Sequence, residues 1–89
     1  MKANFKKLNV EVAFDEFKEL DLAKQVGNYI HANTNDIGLD DVARVIYHSE
    51  GVVDIPDEYV PVIRSMVENR QCLFLAAIKK AILNILNQS

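Results

Sequence analysis

The oxygen-bearing side chains of this chain are densest in residues 31–41, which read HANTNDIGLDD. Alternating oxygen ligands followed by a glycine are typical of an EF-hand calcium loop, which a glutamate closes at its twelfth position. A loop counted from Asn33 has Ile37 at its fifth position, where an oxygen ligand is required, and Arg44 at its twelfth. We therefore expect no metal ion and no other cofactor here, and we interpret the segment as the turn between two helices.

The two histidines, His31 and His48, are the side chains best suited to acid–base chemistry near neutral pH. Such a site would need a carboxylate to orient the ring, and Asp36 and Glu50 are the candidates. No second ligand lies at the close spacing that zinc sites use. The single cysteine, Cys72, has apolar neighbours and is interpreted as a small buried hydrophobic residue rather than a nucleophile. The chain is therefore predicted not to be an enzyme.

The charge distribution indicates which partners the chain can have. Residues 36–58 contain seven acidic residues against Arg44, whereas residues 59–89 contain four basic residues and one acidic residue. A nucleic-acid binder usually has a basic face, because neutralisation of phosphates supplies most of its affinity. No nucleic-acid partner is therefore predicted, and the acidic segment 36–58 is interpreted as a solvated surface.

Length and composition predict a single domain over residues 1–89. The chain has 89 residues, of which 49% are hydrophobic, so an ordered core is expected. No apolar run approaches the roughly 20 residues of a membrane span, and the first residues lack the pattern of a signal peptide. We therefore expect no membrane partner. The lone cysteine cannot form an intramolecular disulfide, which favours a reducing cytoplasm.

An alternation of apolar and polar residues in segment 8–14 predicts a half-buried strand. The apolar positions are Leu8, Val10, Val12 and Phe14. A lone strand needs a hydrogen-bonding partner. Segment 51–56, rich in β-branched residues, could supply it within the chain, or another subunit could. Segment 15–20 fits either a backward extension of the first helix or a turn.

Apolar residues at helical spacing predict four helices. They lie in residues 21–33, 39–51, 57–70 and 72–88. Asp21 and Asp57 are expected to cap the first and third helices, and Gly51 is expected to end the second in a left-handed conformation. The predicted fold class is α+β, mainly α, with one N-terminal strand and a short second extended segment. The alternative is a small all-α bundle.

The last predicted helix is apolar on nearly every side. One broad side can face the core, but four further apolar residues fall near Lys80, on the side that should face water. They are Leu73, Ala76, Ala77 and Leu83. Either the first strand and its partner cover this side, or another chain does, and we favour another chain.

The leading functional hypothesis is therefore a small non-enzymatic protein–protein interaction or assembly module, able to self-associate as a homo-oligomer through its C-terminal helix. The alternative is a regulatory or small-ligand-binding accessory domain with a pocket between helices. As a whole, the chain resembles the small proteins encoded in bacterial genomes and their prophages. No motif carries this resemblance, and it implies no site residue.

Overall fold

A computed structural model describes residues 1–87 as an α+β fold in which helices predominate. In chain order, the elements of this range are β1 (Lys2–Ala3), β2 (Leu8–Ala13), β3 (Glu16–Leu20), α1 (Ala23–Asn33), α2 (Ile37–Tyr47), β4 (Val53–Asp54), a 3-10 helix (Asp57–Tyr59), α3 (Val60–Glu68) and α4 (Ala76–Leu86). The predicted class, four helices with a minor β component, is confirmed. None of the described helices is long and apolar enough to cross a membrane.

The strands form two separate antiparallel pairs. β2 pairs with β3 in a hairpin, and β1 pairs with β4. Neither interpretation of segment 15–20 was right, because most of it is strand. The partner expected for segment 8–14 was also wrong, because segment 51–56 instead supplies β4, the partner of β1. The hairpin reverses at Asp15, whose φ of 65° lies in the left-handed region that aspartate adopts more readily than most residues.

Of the four side chains that were predicted to face inward from segment 8–14, only two do so. Leu8 and Val10 are buried, whereas Val12 and Phe14 are exposed. The pairing of β2 with β3 shifts register between Glu11 and Ala13, which disturbs the alternation of faces at Val12. The tip of the hairpin therefore presents apolar side chains to solvent.

Aspartates stabilise the beginnings of α1 and α2. The carboxylate of Asp36 accepts hydrogen bonds from the backbone N–H groups of Gly38 (2.8 Å) and Leu39 (3.4 Å), so α2 begins two residues before the predicted helix. The carboxylate of Asp21 accepts from the backbone N–H of Ala23 at 3.3 Å, close to the predicted capping role.

Two other predicted helix ends were wrong. Asp57 does not cap the third helix, because its carboxylate accepts a hydrogen bond from the Met1 ammonium at 3.2 Å and the chain there forms a 3-10 turn. Gly51 does not have a positive φ, and α2 already ends at Tyr47. The fourth helix begins only at Ala76, so residues 72–75 form a loop before it, and residue 88 of the predicted helix lies outside the described range.

The core is built from apolar side chains of the strands, the helices and the segments that connect them. Its largest fully buried members are Phe5, Leu8, Ile30, Leu39, Ile46, Ile55, Ile63, Ile82 and Leu86. Within residues 1–87, no polar or charged residue is buried. α1 and α2 approach each other closely at Gly27, where an added Cβ would lie 2.8 Å from the carbonyl oxygen of Ala43. This contact sets the geometry of the cleft described next.

Candidate functional site

The helix pair α1–α2 brings both histidines to one cleft. The cleft has a volume of about 170 Å³ and is open to solvent. Its lining residues are Gly27, Asn28, His31, Asp40, Ala43, Arg44, Tyr47 and His48. The sequence placed the histidines near the ends of successive helices, and the close contact at Gly27 makes these ends neighbours.

His31 is oriented by a carboxylate, but not by either of the predicted ones. Its Nδ1 contacts the Oδ1 of Asp40, which lies in the first turn of α2. Asp36 instead caps α2, and Glu50 lies beyond the end of that helix. The ring of His31 is exposed and the carboxylate of Asp40 is half-buried. A histidine held in this way can bind or transfer a proton, provided that a reacting group enters the cleft.

His48 lies on the other side of the cleft beside an aromatic ring. Its imidazole stands edge-on to the ring of Tyr47, with centroids 4.9 Å apart and planes inclined at 77°. The Nζ of Lys24 lies 5.8 Å from the centroid of the same tyrosine ring, within the range of a cation–π contact. Arg44 and His48 line the same cleft as the His31–Asp40 pair, and Asp40 is the single carboxylate among the lining residues. The arrangement can accept a small anion more readily than a cation.

A metal centre is not formed here. Among residues 1–87, no group of three or more histidine, cysteine, aspartate or glutamate side chains converges as a metal site requires. Cys72 is free and buried, as the sequence predicted. Its thiol lies near the hydroxyl of Tyr29, and burial, followed by this neighbouring thiol, raises the pKa of Tyr29 to about 12. Both groups belong to the packing of α1 against the loop before α4, not to the cleft.

The four candidate interface residues do not form one helical face. Leu73 is 95% exposed, but it lies in the loop before α4 rather than on the helix. Ala76 is exposed at the first position of α4. Ala77 and Leu83 are half-buried and pack against the core. The late start of α4 therefore places Leu73 outside the helix that was predicted to carry all four residues.

Large exposed apolar side chains are concentrated in the hairpin and in the loop before α4. In the described range, the large exposed apolar residues are Val12, Phe14, Phe17, Ile37, Val45, Val52, Val62, Leu73 and Leu75. The hairpin contributes three of them and the loop before α4 contributes two. The exposure of Phe14 and Leu75 was not predicted, because their spacing fits the inward side of a strand that ends at Ala13 and the core side of a helix that begins only at Ala76.

A groove separates the hairpin from α4. It has a volume of about 310 Å³. Its walls are Asn9, Glu11 and Phe17 from the hairpin, and Ala77, Lys80, Ala81 and Asn84 from α4. α4 packs mainly against β2. The outer edge of β3 is therefore left accessible, and the side chains of residues 16–19 are exposed.

Comparisons with protein-family models, with curated proteins and with solved structures find no match for this chain. The residues of the cleft and of the hairpin therefore gain no role from a relative.

Proposed function

We propose that this chain is a non-enzymatic protein–protein interaction module that associates with a second copy of itself. The observation that supports this is the exposure of large apolar side chains on the hairpin and in the loop before α4. Phe14 and Leu73 are each 95% exposed, and Leu75 is 72% exposed. Water-exposed apolar area of this kind tends to mark an interface, because association removes it from water.

The exposed residues lie mostly outside the C-terminal helix, on which the sequence predicted the association surface. Leu83 and Ala77 already contact the core, so α4 offers little apolar area of its own to a partner. The loop before α4 and the hairpin offer more. We therefore assign the association surface to these two segments and not to the body of the C-terminal helix.

Other features support the remaining parts of the proposal. The cleft at His31 is small and open to solvent, so it would bury little of a substrate, which supports a non-enzymatic role. The acidic segment 36–58 has exposed carboxylates at Asp54 and Asp57, which disfavours nucleic acid as a partner. An unpaired, buried Cys72 suits a reducing cytoplasm.

The proposal is tested by the mass of the protein in solution. Sedimentation equilibrium from micromolar to near-millimolar protein should show a reversible shift from the 10.1 kDa of one chain to twice that value. Lowering the salt concentration tests charge contributions to the same equilibrium. A mass of one chain at every concentration would contradict self-association.

A second candidate function is supported by the cleft between α1 and α2. Arg44, His48 and the His31–Asp40 pair line it, and a small carboxylate or phosphate anion fits this set of donors. Titration with inorganic phosphate or acetate, followed by amide chemical shifts, should then perturb α1 and α2 selectively. Arg44→Gln should abolish the perturbation, while Arg70→Gln, a charge-matched control outside the cleft, should leave it. An absence of localised shifts at millimolar anion would rule this function out.

A further inference from the structure

The outer edge of β3 is an unpaired strand edge. Within residues 1–87, β3 pairs with β2 alone, and its backbone forms no hydrogen bond outside the hairpin. Residues 16–19 are exposed, and neither Glu16 nor Lys18 has an ion-pair partner in the described part of the chain. An exposed edge of this kind is a template for another strand.

Symmetry limits how two copies can pair through this edge. In a two-fold antiparallel pair of identical strands, one residue lies opposite its own copy, and the residues before and after it oppose each other. A register centred on Lys18 opposes two lysines, and registers centred on Glu16 or Glu19 oppose two glutamates. A register centred on Leu20 overlaps the two copies of β3 at that residue alone, because Glu19 would lie opposite Asp21, beyond the end of the strand.

The remaining register is centred on Phe17. It places the Phe17 rings of the two copies opposite each other and flanks them with two pairs between Glu16 of one copy and Lys18 of the other. Aromatic pairs and opposite charges across strands are both stabilising, whereas like charges directly opposite are destabilising. Among the five strand residues EFKEL, this is the one symmetric register that opposes unlike charges, and the next pair outward, Asp15 of the turn opposite Glu19, has like charges.

We infer that β3 pairs antiparallel with β3 of a second copy in this Phe17-centred register and forms a four-stranded sheet in the order β2–β3–β3–β2. The inference rests on the proposed self-association and specifies the strand pairing within the hairpin part of the association surface. Two-stranded sheets are marginal in water, and a third and fourth strand satisfy the backbone groups of the open edge.

The remaining structure leaves room for this pairing. Each α4 packs against β2, the strand farther from the open edge, and shares a groove with Phe17 of β3. Strands lie about 4.8 Å apart, so the two β2 strands would be about 14 Å apart. A helix with its side chains is about 10–12 Å wide, so both α4 helices fit on the same face. The two Phe17 rings then lie between two facing grooves and lose contact with water.

Charge reversal tests the register directly. Glu16→Lys gives an edge with two basic residues, and Lys18→Glu gives an edge with two acidic residues. Each variant alone should dimerise at least about tenfold more weakly than wild type, because like charges then oppose each other at two symmetric positions. An equimolar mixture of the two variants should form a heterodimer of near wild-type affinity. Glu68→Lys and Lys7→Glu, at exposed positions outside the edge, are the matched controls and should not change the affinity.

A covalent test uses Phe17→Cys in a Cys72→Ala background. Residues that oppose each other across antiparallel strands have Cα atoms about 4.5–5.5 Å apart, within the range that disulfides span. Mild oxidation should therefore trap a covalent dimer of this variant. Val52→Cys, also exposed but outside the hairpin, should give little dimer.

The outcomes separate this inference from the proposed function. If the wild type dimerises reversibly, but Phe17→Cys forms no disulfide dimer and the mixed charge variants do not regain affinity, the Phe17-centred register is wrong. Self-association itself would then still hold. A wild-type protein that stays at one chain's mass overturns both. Trapping at Phe17 together with recovery of affinity in the mixture supports the pairing.

Discussion

The hydroxyl of Tyr29, in the middle of α1, donates a hydrogen bond of 2.7 Å to the backbone carbonyl of Met66 in α3. The same side chain packs against Phe74, with ring centroids 5.1 Å apart. One residue of α1 therefore contacts both α3 and the loop that leads into α4. Because that loop exposes Leu73 and Leu75, Tyr29 also helps to hold part of the proposed association surface in place.

Replacing Tyr29 by phenylalanine should remove the hydrogen bond while keeping the ring contact. We expect the free energy of unfolding to fall by about 1 kcal/mol, the usual net contribution of such a bond. For a domain of this size, that corresponds to a melting temperature lower by about 4–8 °C. Thermal denaturation followed by circular dichroism measures the change. Tyr47→Phe is the matched control, because no hydrogen bond of the Tyr47 hydroxyl occurs within residues 1–87, and its melting temperature should stay near that of wild type.

The raised pKa of Tyr29 predicts a loss of stability in alkaline solution. Burial, followed by the neighbouring Cys72, raises this pKa from 10.0 to about 12, so the folded state favours the neutral phenol more than the unfolded state does. The resulting stability is fully present below pH 10 and is lost as the pH rises through about 12. Denaturant unfolding of wild type and Tyr29→Phe across this window should show the difference between them shrinking. A constant difference would contradict the assignment, and tyrosinate absorbance gives an independent reading of the ionisation.

Substitution by alanine should change the free energy of unfolding in opposite directions at Gly27 and Gly51. Gly27→Ala would gain about 1 kcal/mol of helix propensity, but its Cβ would lie 2.8 Å from the carbonyl oxygen of Ala43 and 2.9 Å from the Cβ of Tyr47. We expect a net destabilisation of about 1–3 kcal/mol, as for other overpacked positions. Gly51→Ala meets no atom within 4 Å, and its φ is not positive, so it should stabilise by about 0.4–1 kcal/mol. Chemical denaturation of both variants measures these changes, and a stabilised Gly27→Ala would show that the helices can separate at little cost.

Leu73 and Leu83, the first and last of the four predicted interface residues, should affect different properties when they are replaced. Leu73→Ser changes a side chain that is 95% exposed, so it should weaken self-association and leave the melting temperature nearly unchanged. Leu83→Ser removes a half-buried side chain that packs against the core, so it should reduce the free energy of unfolding by about 1–2 kcal/mol. Sedimentation and thermal denaturation of each variant separate the two effects. If Leu73→Ser unfolds the protein, or if Leu83→Ser changes only the dimer equilibrium, the placement of the two leucines is wrong.

The sequence predicts the helical part of this fold better than its strands. The apolar spacing of α2 identifies Leu39, Ala43 and Ile46, all of which are buried. The strand β3 was missed because EFKEL has no β-branched residue and no alternating apolar pattern. Its conformation follows from pairing with β2, and such pairing depends on tertiary context more than on local preference.

The chemistry of the cleft was missed for a related reason. His31 and Asp40 are nine positions apart and lie on different helices, so no spacing rule joins them. Their contact depends on how closely α1 approaches α2, which Gly27 permits. Likewise, Phe74 fits the helical period of the sequence, but it contacts Tyr29 from a loop, and the helix begins only at Ala76.

The pairing of β1 with β4 has a consequence for synthesis on the ribosome. Lys2 pairs with Asp54, so the first strand has no partner until more than half of the chain has been made. At about 5–20 residues per second, this delay is roughly 3–10 s. The β2–β3 hairpin, whose strands are adjacent in sequence, can close within microseconds of leaving the exit tunnel. During the later part of this delay the hairpin already presents the open edge of β3, and neighbouring nascent chains on one polysome present the same edge to each other.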